Sequence, residues 1–337
     1  MVKKKKITLG VSCGDINGIG IEVFVKAFSK KSLLNICVPI LYAPKKILDF
    51  YKSLKDIKDV NYNVIKSIDE ACDMQVNLID IYNQDFHIQL GTSTHSAGQI
   101  ALNSFNTSIQ ALKEKKIDAL VTLPINKKNV SFSEKNFTGH TEHLENKINA
   151  NSSLMLLVSK TLKIATATNH IPISKVSSTL NSDLLNQKIN ILIQSLTVDF
   201  LIPSPKIALL GLNPHAGDDG LIGYEDKEII VPVVNDFYSR GHSVFGPYPA
   251  DGFFGSKKYT NFDAVLGMYH DQSLVPFKHI SFGGGVNYTA GLNVIRTSPD
   301  HGVGYDIAGK GLANEKSFIE SIYLAIKIHT NRKSYLV

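Results

Sequence analysis

Residues 265–278 read Val-Leu-Gly-Met-Tyr-His-Asp-Gln-Ser-Leu-Val-Pro-Phe-Lys. The first four are apolar or small and predict a short buried strand, which stops abruptly in the polar run His270-Asp271-Gln272. A second apolar piece follows and is ended by Pro276 and Lys278. Open α/β sheets bind ligands in the crevice beyond the carboxyl ends of their strands, so a strand that delivers a His and an Asp there is placed for chemistry. A single histidine packed in a turn would look the same. Further histidines delivered in the same way separate the two readings.

Working outward, strand-like and helix-like stretches alternate. Residues 6–12 predict a first strand, which runs into Cys13-Gly-Asp-Ile-Asn-Gly-Ile-Gly-Ile-Glu22. That glycine-rich turn opens a helix carrying Ile19, Val23 and Phe28. Amides at such a helix start can face an anion. The spacing equally describes a structural turn, and it is not the G-x-G-x-x-G of a dinucleotide fingerprint. A strand over 36–42, a helix over 44–54, an irregular region and a strand over 76–81 follow. The clearest helix covers 94–115, with Ala97, Ile100, Ala101, Phe105, Ile109 and Leu112 at helical spacing. Ala119–Thr122 predicts a buried strand ending in the polar loop 123–127.

Next, His140 and Thr141 place an imidazole and a hydroxyl at a helix start, a cradle for an anion, with His143 read as a surface residue. Residues 154–158 and 164–168 read as adjacent strands, the second ending in Asn169-His-Ile-Pro172. A helix over 182–198 and a strand over 206–211 lead to Leu212-Asn-Pro-His-Ala-Gly217. Residues 225–240 predict a helix kinked or broken at Pro232. A loop over 245–252 carries Asp251, and a glycine turn covers 283–287. A strand over 292–296 and an amphipathic helix from about 314 to 329 complete the chain.

The bulk properties narrow the function. A chain of 337 residues suffices for one large α/β unit or two lobes. The net charge of +6 is modest, and its densest run, Lys3 to Lys6, reads as a solvated end. No basic helix or aromatic-interleaved basic patch appears, which argues against a nucleic-acid partner. Cys13, Cys37 and Cys72 lack metal or redox spacing and read as reduced thiols of a cytoplasmic protein. No apolar run approaches the roughly 20 residues of a membrane span, and no apolar stretch follows the N-terminal charges as in a secretory signal.

Three histidines, His170, His215 and His270, each closely follow a strand-like segment, 45 and 55 residues apart. Successive βα units return the chain to the same sheet edge, so the three imidazoles can converge. Three imidazoles with an open fourth position make a catalytic metal geometry, able to polarise a substrate oxygen. Imidazoles accept zinc, cobalt, nickel or manganese. A second set, His140, Thr141, Lys278, Asn287 and Arg296, lies in loops or at strand ends and offers what a phosphate monoester needs. Surface salt bridges would account for Lys278 and Arg296 equally well, taken singly.

Nine motifs then follow in order: Gly14-Asp15 with Gly18-Ile-Gly20 and Glu22; Pro124-Ile-Asn-Lys127; Gly139-His-Thr-Glu142; Asn169-His-Ile-Pro172; Leu212-Asn-Pro-His-Ala-Gly217; Gly246-Pro-Tyr-Pro-Ala-Asp251; Met268-Tyr-His-Asp-Gln272; Val286-Asn287; and Ile295-Arg-Thr-Ser298. With these, essentially the whole chain resembles the 4-hydroxythreonine-4-phosphate dehydrogenase family of pyridoxal phosphate biosynthesis. The resemblance implies NAD-dependent (or NADP-dependent) oxidation of the C3 hydroxyl of 4-phosphohydroxy-L-threonine. The β-keto acid, 2-amino-3-oxo-4-phosphooxybutanoate, then decarboxylates to 3-amino-2-oxopropyl phosphate.

It also implies a divalent cation (zinc, magnesium, cobalt or manganese) on His170, His215 and His270. Substrate would bind at His140, Thr141, Lys278, Asn287 and Arg296, and the protein would be a homodimer with metal and substrate at the subunit interface. Residues 300–314 are similar to the cofactor loop of isopropylmalate and isocitrate dehydrogenases, which marks His301, Gly302 and Asp306 for the adenosine side of the cofactor. That similarity implies a two-lobed α/β/α fold with mostly parallel sheets and a cleft between lobes, here 1–130 plus 285–337 and 131–284. The family commonly has prolines where this chain has Ile16 and Ile21, Thr-Ala at Val303-Gly304, and Thr at Gly252. Lys127, Asp251 and Asp271 are candidates for the base. A paralogous dehydrogenase of 4-phospho-threonate or 4-phospho-erythronate, and a three-histidine metal hydrolase, are the alternatives.

Overall fold

The computed structural model describes residues 6–54, 60–82, 84–134, 137–150 and 152–335; Lys3, Lys4 and Lys5 of the basic run lie outside them. The chain forms two compact units, Met1–Ala150 with Asn293–His329, and Asn151–Leu292 with Thr330–Val337. These boundaries differ from those drawn on the sequence for two local reasons. The helix His140–Ile148 packs on the helix His95–Lys113 of the first unit, and the strand Val286–Ala290 pairs within the second.

The strands are β1 (Ile7–Ser12), β2 (Cys37–Ala43), β3 (Tyr62–Ile65), β4 (Val76–Asp80), β5 (Ala119–Thr122), β6 (Leu154–Val158), β7 (Lys163–Thr166), β8 (Ile207–Leu210), β9 (Val244–Tyr248), β10 (Ala264–Gly267), β11 (Val286–Ala290) and β12 (Arg296–Pro299). In the first unit the order is β3-β4-β2-β1-β5-β12, and every pair is parallel. The continuous apolar runs of β1, β2 and β5 are those of strands covered on both faces. The helix His95–Lys113 covers them with Ala97, Ile100, Ala101, Phe105, Ile109 and Leu112, and Thr94 caps its start by accepting from the Ala97 amide.

In the second unit the order is β11-β6-β7-β10-β8-β9, with β6 antiparallel to both neighbours and the others parallel. The mostly parallel α/β class is as the sequence implies.

Several elements depart from the sequence reading. Residues 270–281 form one helix that passes through Pro276 instead of stopping there. Its inward face explains this: Phe277 is fully buried in a cluster with Leu157, Ile164, Leu210, Phe253 and Val265, and Leu274 and Ile280 pack on the same cluster. That burial outweighs the one backbone hydrogen bond a proline removes. The expected loop 245–252 is instead β9 and a short helix, Ala250–Gly255. β9 ends the strand order of its unit, and an outer strand tolerates the prolines that argue against a central one.

β11 begins inside the expected glycine turn, because pairing with β6 outweighs the poor strand propensity of Asn287. β12 starts only at Arg296, and β3 lies in the region read as irregular. Pro232 does mark a seam, standing just after a π-helical turn, Asp226–Ile230, at the start of the helix Val231–Ser239.

Phe277→Ala should lower the unfolding free energy by about 3–5 kcal/mol in chemical denaturation, the usual cost of an aromatic cavity. A loss under about 1 kcal/mol would mean that this face does not hold the 270–281 helix in place.

Candidate active site

The second unit brings two of the three histidines together. β7 and β10 run parallel, with Ile164 opposite Val265 and Thr166 opposite Gly267. Their bonding continues past the strand ends: the Ala167 amide donates to the Gly267 carbonyl at 2.8 Å, and the Thr168 amide and hydroxyl donate to the Met268 carbonyl at 3.1 and 2.8 Å. The two chains therefore leave the sheet side by side, and His170 and His270 each follow two residues later. Their ring centroids are 5.8 Å apart.

Gln272 fixes this end of the sheet. Its Oε1 accepts from the Met268 amide at 2.7 Å, and its Nε2 donates to the Gly211 carbonyl at the end of β8 at 2.6 Å. Asp271 Oδ1 lies 2.6 Å from His270 Nδ1, which orients the ring and leaves Nε2 as the nitrogen for a further ligand. His170, His270, Asp271, Asn169, Ile171 and Tyr269 help line a pocket of about 260 Å³. Two imidazoles bound about 2.0–2.1 Å from one ion would have centroids roughly 5–6 Å apart, so the pair fits a shared cation.

His215 stands apart. It is exposed and opens a left-handed run, with φ of 54° at His215, 53° at Ala216, 81° at Gly217, 42° at Asp218 and 58° at Asp219. Four of these five residues are not glycine, and such residues hold a positive φ only where the surroundings impose it. The buried Asp226 fixes the chain that enters the run: its carboxylate accepts from the amides of Leu212 and Asn213 at 2.8 and 3.1 Å, while Asn213 Nδ2 donates to Glu225 Oε2 and Asp226 Oδ2. Among the described residues of one chain, no three His, Cys, Asp or Glu side chains converge as a metal site.

Of the anion-binding candidates, Lys278 is exposed on the helix His270–Ser281, and Asn287 lies on β11. Asn287 Oδ1 is shielded and has no hydrogen-bond partner among the described residues. The other three lie in the first unit. His140 and Thr141 begin the helix His140–Ile148, and Arg296 begins β12, where it is fully buried. Arg296 Nε and Nη2 donate to Thr122 Oγ1 at 3.0 and 2.5 Å. Burial draws its pKa down and Glu142 opposes this, but a guanidinium keeps its charge.

The His140 ring meets Phe105 edge-on at 4.7 Å, and its Nε2 is shielded with no hydrogen-bond partner among the described residues. Burial, then the charges of Arg296, His143 and Lys127, hold its pKa well below the usual value, so the ring is neutral at pH 7. Lys127 is exposed but partly desolvated, which lowers its pKa against the pull of Glu142. A Cβ on Gly139 would stand 2.7 Å from Glu142 Oε2 and 3.5 Å from Lys127 Nζ, so glycine is what lets these two groups approach the backbone that leads to His140.

Two sequence readings are resolved. His143 is buried, not on the surface: its Nε2 pairs with Asn106 Oδ1 at 2.7 Å, and its ring packs on Phe105 and Phe137. The helix that carries it presses this side against the helix His95–Lys113. The glycine corner is no open anion site, since residues 11–25 are all buried and the Ile19 amide is taken by the Val303 carbonyl at 2.8 Å. The positioning roles of Asp226 and Gln272 were not apparent: Asp226 stands 13 residues from the Asn213 amide it binds, and Gln272 in its strand-end run gives no sign of bridging to the Gly211 carbonyl. Of the cofactor candidates, His301 Nδ1 lies 3.0 Å from the Gly302 carbonyl, and Gly302 and Asp306 are exposed.

The profile of a family described as "Pyridoxal phosphate biosynthetic protein PdxA" matches residues 35–325. The chain belongs to the PdxA family. A relative from Bacteroides thetaiotaomicron named 4-hydroxythreonine-4-phosphate dehydrogenase is 42% identical, over 98% of this chain and 91% of its own. A relative from Oceanobacillus iheyensis, named putative D-threonate 4-phosphate dehydrogenase, is 33% identical over 96% of this chain and 98% of its own. The crystal structure of a 4-hydroxythreonine-4-phosphate dehydrogenase from Klebsiella pneumoniae superposes with a TM-score of 0.84 at 32% identity, covering 96% and 98% of the two chains. No helix among the described residues is long and apolar enough to cross a membrane.

The two buried histidines of the first unit imply a pH dependence. Burial is the leading cause that lowers the pKa of both His140 and His143 below the ordinary 6.5. The unfolded chain therefore takes up these protons first as pH falls, so their contribution to stability is full above 6.5 and declines below it, by at most about 1.4 kcal/mol per pH unit for each ring. At pH 6.5 the His140 NMR signal should still be that of a neutral ring. A half-protonated signal there would contradict the buried placement.

Proposed function

We propose that this chain catalyses NAD-dependent, divalent-metal-assisted oxidation of 4-phosphohydroxy-L-threonine at its C3 hydroxyl. The product, 2-amino-3-oxo-4-phosphooxybutanoate, loses carbon dioxide to give 3-amino-2-oxopropyl phosphate on the route to pyridoxal 5′-phosphate. The observation that carries this reading is the match, along nearly the whole chain, to a relative named for that dehydrogenase. The site residues agree with it. Arg296, Lys278, Thr141, Asn287 and the neutral His140 are assigned to the phosphorylated substrate: two cations supply charge, and hydroxyl, amide and imidazole groups supply direction.

His170, His215 and His270 are assigned to the cation, with Asp271 holding the His270 ring. A divalent ion there would polarise the substrate oxygen, and a nicotinamide dinucleotide would accept the hydride. We assign its adenosine side to His301, Gly302 and Asp306. A homodimer completes this reading, because one chain alone assembles only two of the three imidazoles. Of the three candidate bases, Asp271 is engaged by His270 and Asp251 is exposed. Lys127 is also exposed, but partial desolvation lowers its pKa, the direction a base needs.

The 33% relative named for D-threonate 4-phosphate supports one second reading, a dehydrogenase of that substrate. The test is NADH formation from 4-phosphohydroxy-L-threonine and from D-threonate 4-phosphate, with and without chelator. The proposal predicts metal-dependent turnover, favouring the first substrate. Preference for the second would select the alternative, and phosphate release without NADH would indicate a hydrolase. Asp271→Asn should weaken metal affinity about 10–100-fold with the fold intact; unchanged affinity would show that Asp271 does not orient a metal-binding His270.

A further inference from the structure

The glycine corner holds a loop. Asp15 and Glu22 are buried, and both carboxylates engage residues of the segment 300–314. The Tyr305 hydroxyl donates to Asp15 Oδ2 at 2.7 Å. The amides of Gly309 and Ala313 donate to Glu22 Oε2 and Oε1 at 3.0 and 2.9 Å. Lys26, one turn along the same helix, donates to the carbonyls of Gly311 and Ala313, both at 2.7 Å. Asp15 is itself fixed by the Asn17 amide and Asn129 Nδ2, and Asn126 and Asn129 both donate to the Tyr305 hydroxyl at 3.2 Å.

The fit is also steric. A Cβ on Gly18 would stand 2.3 Å from Val303 Cγ1, and Gly304, at a φ of 60°, has Ile19 Cδ1 at 3.0 Å from where its Cβ would be.

Within the segment the only regular structure is the single turn Tyr305–Ile307, so these side chains set its conformation. Burying carboxylates costs several kcal/mol unless their hydrogen bonds are complete, and apolar packing would hold a merely structural loop at lower cost. The other side of the segment is bare: Gly302, Asp306 and Leu312 are exposed, and a Cβ on Gly302 would meet nothing within 4 Å. A loop fixed from within and open outside has the form of a pre-organised binding element.

We propose that Asp15 and Glu22 are positioning residues that set the segment 300–314 to receive the adenosine half of a nicotinamide dinucleotide. This rests on the cofactor assignment made above. Two variants of the full-length protein test it, Tyr305→Phe and Glu22→Gln, by amide hydrogen exchange and NADH titration followed by fluorescence. In each, exchange at the amides of 302–313 should quicken, protection of β1 and β5 should stay unchanged, and NADH affinity should fall about tenfold, as for loss of one buried hydrogen bond. The KM for NAD should rise in step while kcat at saturation stays within about twofold.

Unchanged exchange would show that these contacts do not hold the loop and would overturn the proposal. Faster exchange with unchanged NADH affinity would make them structural only, and equally overturn it. Failure of the wild-type protein itself to bind NADH would instead remove the cofactor assignment, and this proposal with it.

Discussion

The candidate site depends first on the pairing of two parallel strands. β7 and β10 keep their backbone bonds beyond the last residues of the sheet, through Ala167 to Gly267 and Thr168 to Met268. Without those bonds, His170 and His270 would depart on independent loops, and a hundred residues of chain would separate them. With them, the positions of two imidazoles follow from sheet register, which a slip of one residue would destroy. Gln272 extends the same constraint to β8, whose following loop is held by Asp226 at Leu212 and Asn213 before the left-handed turn that carries His215. The apolar anchor is Phe277, which seats the helix that begins at His270 in the core of its own unit.

The first unit solves a different problem, that of keeping cationic groups where water is scarce. Arg296 is buried against the Thr122 hydroxyl, and His140 beside it is kept neutral by burial and by neighbouring charges. Glu142 offsets part of that charge, raising the pKa of Lys127 and Arg296 against desolvation. The phosphorylated substrate proposed above would suit this group of cationic and polar side chains, since charge-assisted bonds to phosphate are the strong ones.

Much of this was legible in the chain before folding, and what was hidden has physical causes. Strand ends announced themselves because β7, β8 and β10 are short apolar runs stopped by Asn, Pro or His, and all three candidate ligands follow such stops. The motif residues of the family fall in these same places. Pro276 misled, since a proline reads as a stop unless the burial of Phe277 is known. Pro247 and Pro249 misled in the same sense, because only topology reveals that β9 has a single partner strand. His143 read as exposed because helical spacing does not say which neighbouring helix will cover it. The glycine corner kept two readings open until the Val303 carbonyl was seen to occupy its Ile19 amide. Asp226 left no signal at all, being 13 residues from the loop amide of Asn213 that it restrains.

The proposed chemistry requires His170 and His270 to form part of one cation site. Anomalous diffraction from crystals grown with cobalt or zinc addresses this directly. The predicted result is a peak about 2.0–2.1 Å from His270 Nε2 and from a ring nitrogen of His170. That peak should vanish in His170→Ala. A metal bound elsewhere in the chain, or one whose occupancy the substitution leaves unchanged, would contradict the account.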